Sequence, residues 1–181
     1  MGSVMFVRKI VKTMKWRILV FCLFCLSIAP VCLASMPRSE MYVGGVGPGC
    51  TMGYVQEIYG EPTSRETQSF AEGITVLTYN YENKLIVRAL KSMGSSTLEA
   101  DMDVYSVESY APSLTTPSGF AVGMSYAAVT RRFGLGQVTP RGYINKPLDG
   151  CTYYAYSAGP EMIFAVDGHN IIRAIHVSVD I

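Results

Sequence analysis

The sequence predicts an α+β fold of two tandem modules, each a short helix packed on a small antiparallel sheet of about three strands. Three observations lead there. A basic and then apolar segment at the start sets itself apart from the rest and leaves residues 35–181 to fold. A shift of 74 residues lays positions 49–60 on positions 123–134, with the same helix signals in both. Behind each of those stretches come short β-rich runs separated by turn residues, which suits a small sheet.

The leading segment comes first. Arg8, Lys9, Lys12, Lys15 and Arg17 make a basic start, residues 18–33 are almost wholly apolar, and Cys32, Leu33 and Ala34 end the run before polar residues begin. That order is the n-region, h-region and cleavage site of a secretory signal. An uncleaved membrane anchor and a lipoprotein signal are the alternatives. The apolar run is interrupted by Ser27 and Pro30 and falls short of the roughly 20 residues a membrane span needs. Cys32 follows Ala29, Pro30 and Val31, which fit a lipobox poorly.

Removing residues 1–34 reverses the charge balance. The chain has 15 Lys and Arg against 14 Asp and Glu, and five of the basic residues sit in the signal, so ten remain against 14 acidic, a net of −4. Such a surface does not attract phosphate backbones, which argues against a nucleic-acid partner. Three of the five cysteines also lie in the signal, leaving Cys50 and Cys151. In an oxidising compartment an even pair reads as a disulfide rather than a metal site, and here it would tie the two modules together.

The repeat gives the elements. Gly49, Thr51, Val55, Tyr59 and Gly60 recur as Gly123, Ser125, Val129, Phe133 and Gly134. Thr51 and Ser125 read as N-caps. Val55 with Tyr59, and Val129 with Phe133, make i,i+4 apolar pairs on one helix face. Gly60 and Gly134 stand where the chain must turn left-handed to leave the helix. The strands expected in the first copy are 74–81 and 84–90, joined by the hairpin signal Glu82-Asn83, then 102–108. In the second copy they are 151–156, 161–166 and 170–179. Residues 36–108 thus form the first module and 119–181 the second, with 109–118, SYAPSLTTPS, composed as a linker.

This pattern of Gly-x-Ser/Thr-x-x-x-Val-x-x-x-aromatic-Gly, followed by a hairpin and a closing strand, resembles the SmpA/OmlA-type envelope modules. Two in tandem resemble the architecture of the secreted β-lactamase inhibitory proteins. The resemblance spans residues 47–107 and 119–179 and implies a protein that acts by binding other proteins, without an active site. No binding residue is carried over from either family.

Other constellations have simpler structural explanations. Residues 123–127, GMSYA, approach the nucleophile elbow, with Ser125 as nucleophile and Asp167, His169 or His176 behind it, which would make a small serine hydrolase. The matching copy has Thr51 there, where only a cap is explained. Residues 44–49, GGVGPG, lack the ending of a phosphate loop and read as a turn before the helix. Glu99, Asp101 and Asp103 alternate as a strand face would, giving either a calcium site or a solvated edge. His169 and His176 have no second ligand at metal spacing. No cofactor is expected. Tyr79, Tyr81, Tyr154 and Tyr156 are assigned to the core. The period of two then turns Ile74, Val76 and Tyr153 away from the helices, where they form the expected protein-binding face.

The expectation is therefore a non-catalytic exported protein of the cell envelope or exterior that binds another protein, with an enzyme inhibitor as a special case. The membrane enters only if the leading segment is uncleaved. Intact-mass measurement on protein from its native host should show residues 1–34 removed; a retained Met1 would refute the cleavage.

Overall fold

The computed structural model describes residues 35–70, 73–92, 96–140 and 148–179. Residues 1–34, expected as a secretory signal, lie outside the described residues.

Both helices are short and end for the reason the sequence supplies. Helix α1 is Met52–Tyr59; extended Thr51 precedes it and its hydroxyl accepts from the Tyr54 N–H at 3.2 Å. The helix stops at Gly60, whose φ of 72° suits glycine, and the Gly60 N–H closes on the Gln56 carbonyl. Helix α2 is Ala127–Phe133 and stops at Gly134, φ 81°, in the same way. Its start differs from expectation. Tyr126 takes the cap position and Ser125 Oγ accepts from the Ala127 N–H at 3.3 Å instead.

The strands are β1 Ser64–Ser69, β2 Ile74–Tyr81, β3 Leu85–Ser92, β4 Val104–Ser109, β5 Gln137–Val138, β6 Thr152–Ser157, β7 Glu161–Val166 and β8 Ile172–Ser178. Glu82 and Asn83 both have positive φ, 53° and 57°, which is the backbone a tight right-twisted hairpin needs. Strands β1 and β5 were not expected from the sequence. Every residue of both is exposed, so neither carries the apolar alternation that marks a half-buried strand.

The predicted pair of modules is corrected here. Among the described residues, eight strands form one antiparallel sheet in the order β1-β2-β3-β4-β8-β7-β6-β5, and the fold is mainly β with two α-helices. The two half-sheets fuse where β4 pairs β8, from Ser106 opposite Ser178 to Ser109 opposite Ile175. The physical reason is backbone satisfaction. A sheet of β1–β4 alone would end in an unpaired row of N–H and C=O groups on β4, and the other half would end likewise on β8. Pairing the two last strands removes both edges.

Other segments cross the seam. Met36, Met41 and Val43, which precede α1, belong to the core of the second half, whereas Val46 belongs to that of the first. Leu114 packs against both cores. Residues 109–118, expected as a linker, are packed: Ala111 and Thr116 are buried, and the Thr115 carbonyl accepts from the Gly44 N–H at 2.9 Å.

The two halves nevertheless repeat bond by bond. Gly49, Val104 and Met52 donate to the carbonyls of Val104, Cys50 and Met102; Gly123, Ile172 and Tyr126 donate to those of Ile172, Met124 and Asn170. These bonds pin the lead-in of each helix to the start of the last strand of its half. The Tyr81 and Tyr156 hydroxyls donate to the carbonyls of Gly60 and Gly134, 3.2 and 2.7 Å away. Each thereby locks a helix exit onto the sheet.

The expected bridge between Cys50 and Cys151 is absent. Cys50 packs against the first half's core beneath α1, while Cys151 packs against a cluster on the opposite face of the sheet in the second half. A disulfide needs Cα atoms within about 7 Å, which opposite faces in different halves do not offer.

The cap geometry makes a quantitative prediction. Thr51→Ala should cost about 1 kcal/mol in urea unfolding, and Ser125→Ala less than Thr51→Ala, because Ser125 stands outside the cap position.

Candidate functional site

The sheet has one face covered by the helices and one that they do not touch. On the helix side, Leu77, Tyr79, Tyr81, Leu85 and Val87 gather under α1 with Met52 and Val55. Met162, Phe164, Ile175 and Val177 gather under α2 with Val129. On the far side the two halves part company. The register sets Thr78 opposite Arg88 and Asn80 opposite Ile86 in the first half; in the second it sets Tyr153 opposite Ala165 and Ala155 opposite Ile163. These are matching positions, since Thr78 and Tyr153 each precede a helix-facing tyrosine.

In the second half that surface is closed. Tyr153, Ala155, Ile163, Ala165 and Ala174 form a buried cluster with Leu148, Tyr110 and Cys151 packed against it. The Tyr153 hydroxyl accepts from the Leu148 N–H at 3.1 Å, tying Leu148 to the cluster. In the first half the surface is open. Strands β1 to β4 line a depression of about 450 Å³ with Glu66, Gln68, Val76, Thr78, Ile86 and Arg88 among its walls. Phe70 stands at its rim, 47% exposed. Most of this lining is polar, so the site suits a polar occupant.

At the seam this face carries a buried charge network. Arg88 donates to Glu108 Oε1 at 3.0 Å and to Ser106 Oγ at 3.4 Å. The Tyr110 hydroxyl donates to Glu108 Oε2 at 2.8 Å, and His176 Nδ1 stands 3.6 Å from Oε1. Arg88, Glu108 and His176 are all buried. Burial by itself raises the Glu108 pKa, but His176, Arg88 and Tyr110 together outweigh it and hold the carboxyl down at about 2. Arg88 therefore forms a wall of the depression while its charge is matched from behind. Glu66 differs: it is exposed and makes no ion pair or side-chain hydrogen bond among the described residues.

The residues expected at a binding face divide. Ile74 and Val76 are half-buried on the uncovered face, and Val76 lines the depression. Tyr153 is 5% exposed and is part of a core, so its assignment to a binding surface is corrected. It lies on the sheet face away from the helices, and the packing of Tyr110, Leu148 and Cys151 on that face was not legible in the period of two. The depression's Glu66 and Arg88, and Glu108 behind them, were not anticipated. Alternation of charged residues with neutral ones in β1 and β3 was their only trace.

The structure places the residues of the chemical alternatives. Ser125 Oγ accepts from Asn170 Nδ2 at 3.3 Å as well as from Ala127 N–H, while His176 sits across the sheet beside Glu108. Asp167 closes a turn, accepting from the N–H groups of His169 and Ile171 and from Arg173 Nε. His169 is exposed in that turn. Glu99 and Asp101 occupy a 3-10 turn rather than a strand, and Glu99 bonds Arg65 and Tyr79. Among the described residues no group of three or more His, Cys, Asp and Glu is placed to hold a metal ion. Residues 44–49 form the expected turn, with Val43 bridged to Val46. Among the described residues no helix is long and apolar enough to cross a membrane.

No family model and no curated protein matches the chain. Among solved structures it is similar to an extracellular protein containing an SCP domain from Bacillus anthracis, at 14% identity and a TM-score of 0.48. That match covers 81% of this chain and 47% of the other, so the chain spans about half the length of that protein. It is also similar to a DUF4309 family protein, YjgB, from Bacillus subtilis, at 11% identity and a TM-score of 0.38, covering 81% of this chain and 88% of that one.

The network predicts an acid profile. A carboxyl held at about 2 adds stability that is complete above the ordinary value of 4.5 and is lost as pH falls toward 2. Tm should fall across that interval, and Glu108→Gln should flatten this part of the profile. At neutral pH the same variant should cost on the order of 3–5 kcal/mol, because one partner of a buried pair has gone.

Proposed function

We propose that this is an exported, non-catalytic protein that holds another protein against the uncovered half of its sheet. One observation carries the reading. The same sheet positions are built twice, and in one half they are filled by Tyr153 and its neighbours and covered, while in the other they are left as an open, polar depression. A fold that closes a face at one site and leaves the equivalent face open has a surface available for contact. Val76 and Phe70 add apolar area to Glu66, Gln68 and Thr78, the mixed make-up of protein contact sites. The export signal supports a place in the cell envelope or outside the cell. Asp167 is taken up in its own turn and His176 lies across the sheet beside Glu108, away from Ser125, which supports binding rather than hydrolysis.

Capture experiments with the protein as bait in an envelope fraction test this. Val76→Glu should leave Tm nearly unchanged and abolish capture of the proteins that wild type retains. Tyr153→Glu should instead lower Tm sharply, since it puts a carboxylate into a closed apolar cluster. Undiminished capture by Val76→Glu would refute the uncovered face as the binding surface.

A further inference from the structure

Strand β1 is the outer strand of the open half. Its six residues are all exposed, and among the described residues it pairs with β2 alone. The phase of that pairing can be read from its ends. Phe70 N–H donates to the Ile74 carbonyl at 2.8 Å, and the Asn80 carbonyl receives a bond from the Thr63 N–H at 2.8 Å. Bonded and non-bonded residues alternate along an antiparallel ladder. Ser64, Glu66 and Gln68 therefore spend their backbone groups on β2, and Arg65, Thr67 and Ser69 point theirs outward. The same alternation turns the side chains of Ser64, Glu66 and Gln68 into the depression. An outward row of backbone donors and acceptors and a polar recess thus lie along one strand.

We propose that this edge receives an extended, basic peptide segment of a partner protein as a ninth strand of the sheet. The inference rests on the reading of the open half as a protein-binding face and names what enters it. The added backbone would bond Arg65, Thr67 and Ser69, as in recognition by strand addition. Every second side chain would then lie beside Ser64, Glu66 and Gln68, about 5 Å from β1. Charge decides its nature. The cation on this face, Arg88, is matched by Glu108, while Glu66 has no counter-ion among the described residues. The recess is thus acidic at its outer wall, and a lysine or arginine on the added strand meets Glu66. Phe70, at the end of β1, offers a ring face for the stem and charge of that side chain. A second copy of this chain fits less well. With Thr67 opposite its own copy, Glu66 faces Gln68, so both carboxylates stay without a cation.

The test uses a displayed library of random heptapeptides as the probe. Wild type should select sequences with Lys or Arg at alternating positions, and Glu66→Lys should select acidic residues at those positions instead. Thr67→Pro removes an outward N–H while sparing the β2 ladder, so it should cut affinity for the selected peptides at least tenfold with Tm within a few degrees of wild type. Ser69→Pro, at another outward position, is the second such variant. Gln68→Pro is the control, since it breaks a bond to β2 and should lower Tm. Selected peptides that bind both outward proline variants as tightly as wild type overturn strand addition; if Val76→Glu still weakens them, the open-face reading survives without it. A concentration-dependent dimer in sedimentation that Thr67→Pro dissolves would overturn the peptide in favour of self-pairing.

Discussion

Four residues of β4 lie antiparallel to four of β8, and the rest of the molecule is arranged around that short ladder. It turns two half-sheets into one and places Glu108 opposite His176 at the centre of the uncovered face. The constraint behind it is general. Backbone polar groups taken out of water must be paired, and the last strand of each half is nearly all buried. With β2 and β3 already stacked on one side of β4, the strand available to its other side comes from the second half.

The seam also explains why so polar a group sits so deep. Arg88 and Glu108 are buried within a few residues of the junction, and their charges are tolerable there because each meets the other, with Ser106 accepting a further bond from Arg88 and Tyr110 donating one to Glu108. Such a network contributes less to net stability than apolar packing would. It does fix register, because sliding β4 by one residue against β3 would throw Glu108 to the helix side. The bulge between Arg88 and Ala89 in the β3–β4 pairing, where two residues of β4 face one step of β3, keeps Arg88 opposite Ser106.

The two halves follow common rules and still differ. Both pin the helix lead-in to the last strand and both tie a tyrosine to the helix-exit glycine. Those contacts lie on the helix side, where a small domain must build its core. The far face is under no such demand, and there one half becomes a second small core while the other stays open. The two outer edges differ as well. Strand β5 is two residues long, too short to template another chain, whereas β1 offers six exposed ones.

What the sequence by itself determined was local. The helix positions, their glycine exits, the Glu82-Asn83 hairpin and the helix-facing tyrosines all follow from interactions within a few residues, and all are legible as spacing. The β1 edge was not legible, since a polar strand has no apolar period to read. Nor was the fusion of the sheets, because 3.6- and 2-residue patterns describe which face is buried and not which strand lies alongside. Tertiary structure alone decided three things: that β4 would meet β8, that Cys50 and Cys151 would fall on opposite faces, and that Tyr153 would be covered while Val76 was left open. Each depends on contacts between residues far apart in the chain, and these form only when burial of the assembled sheet offsets the entropy of closing the loops between them.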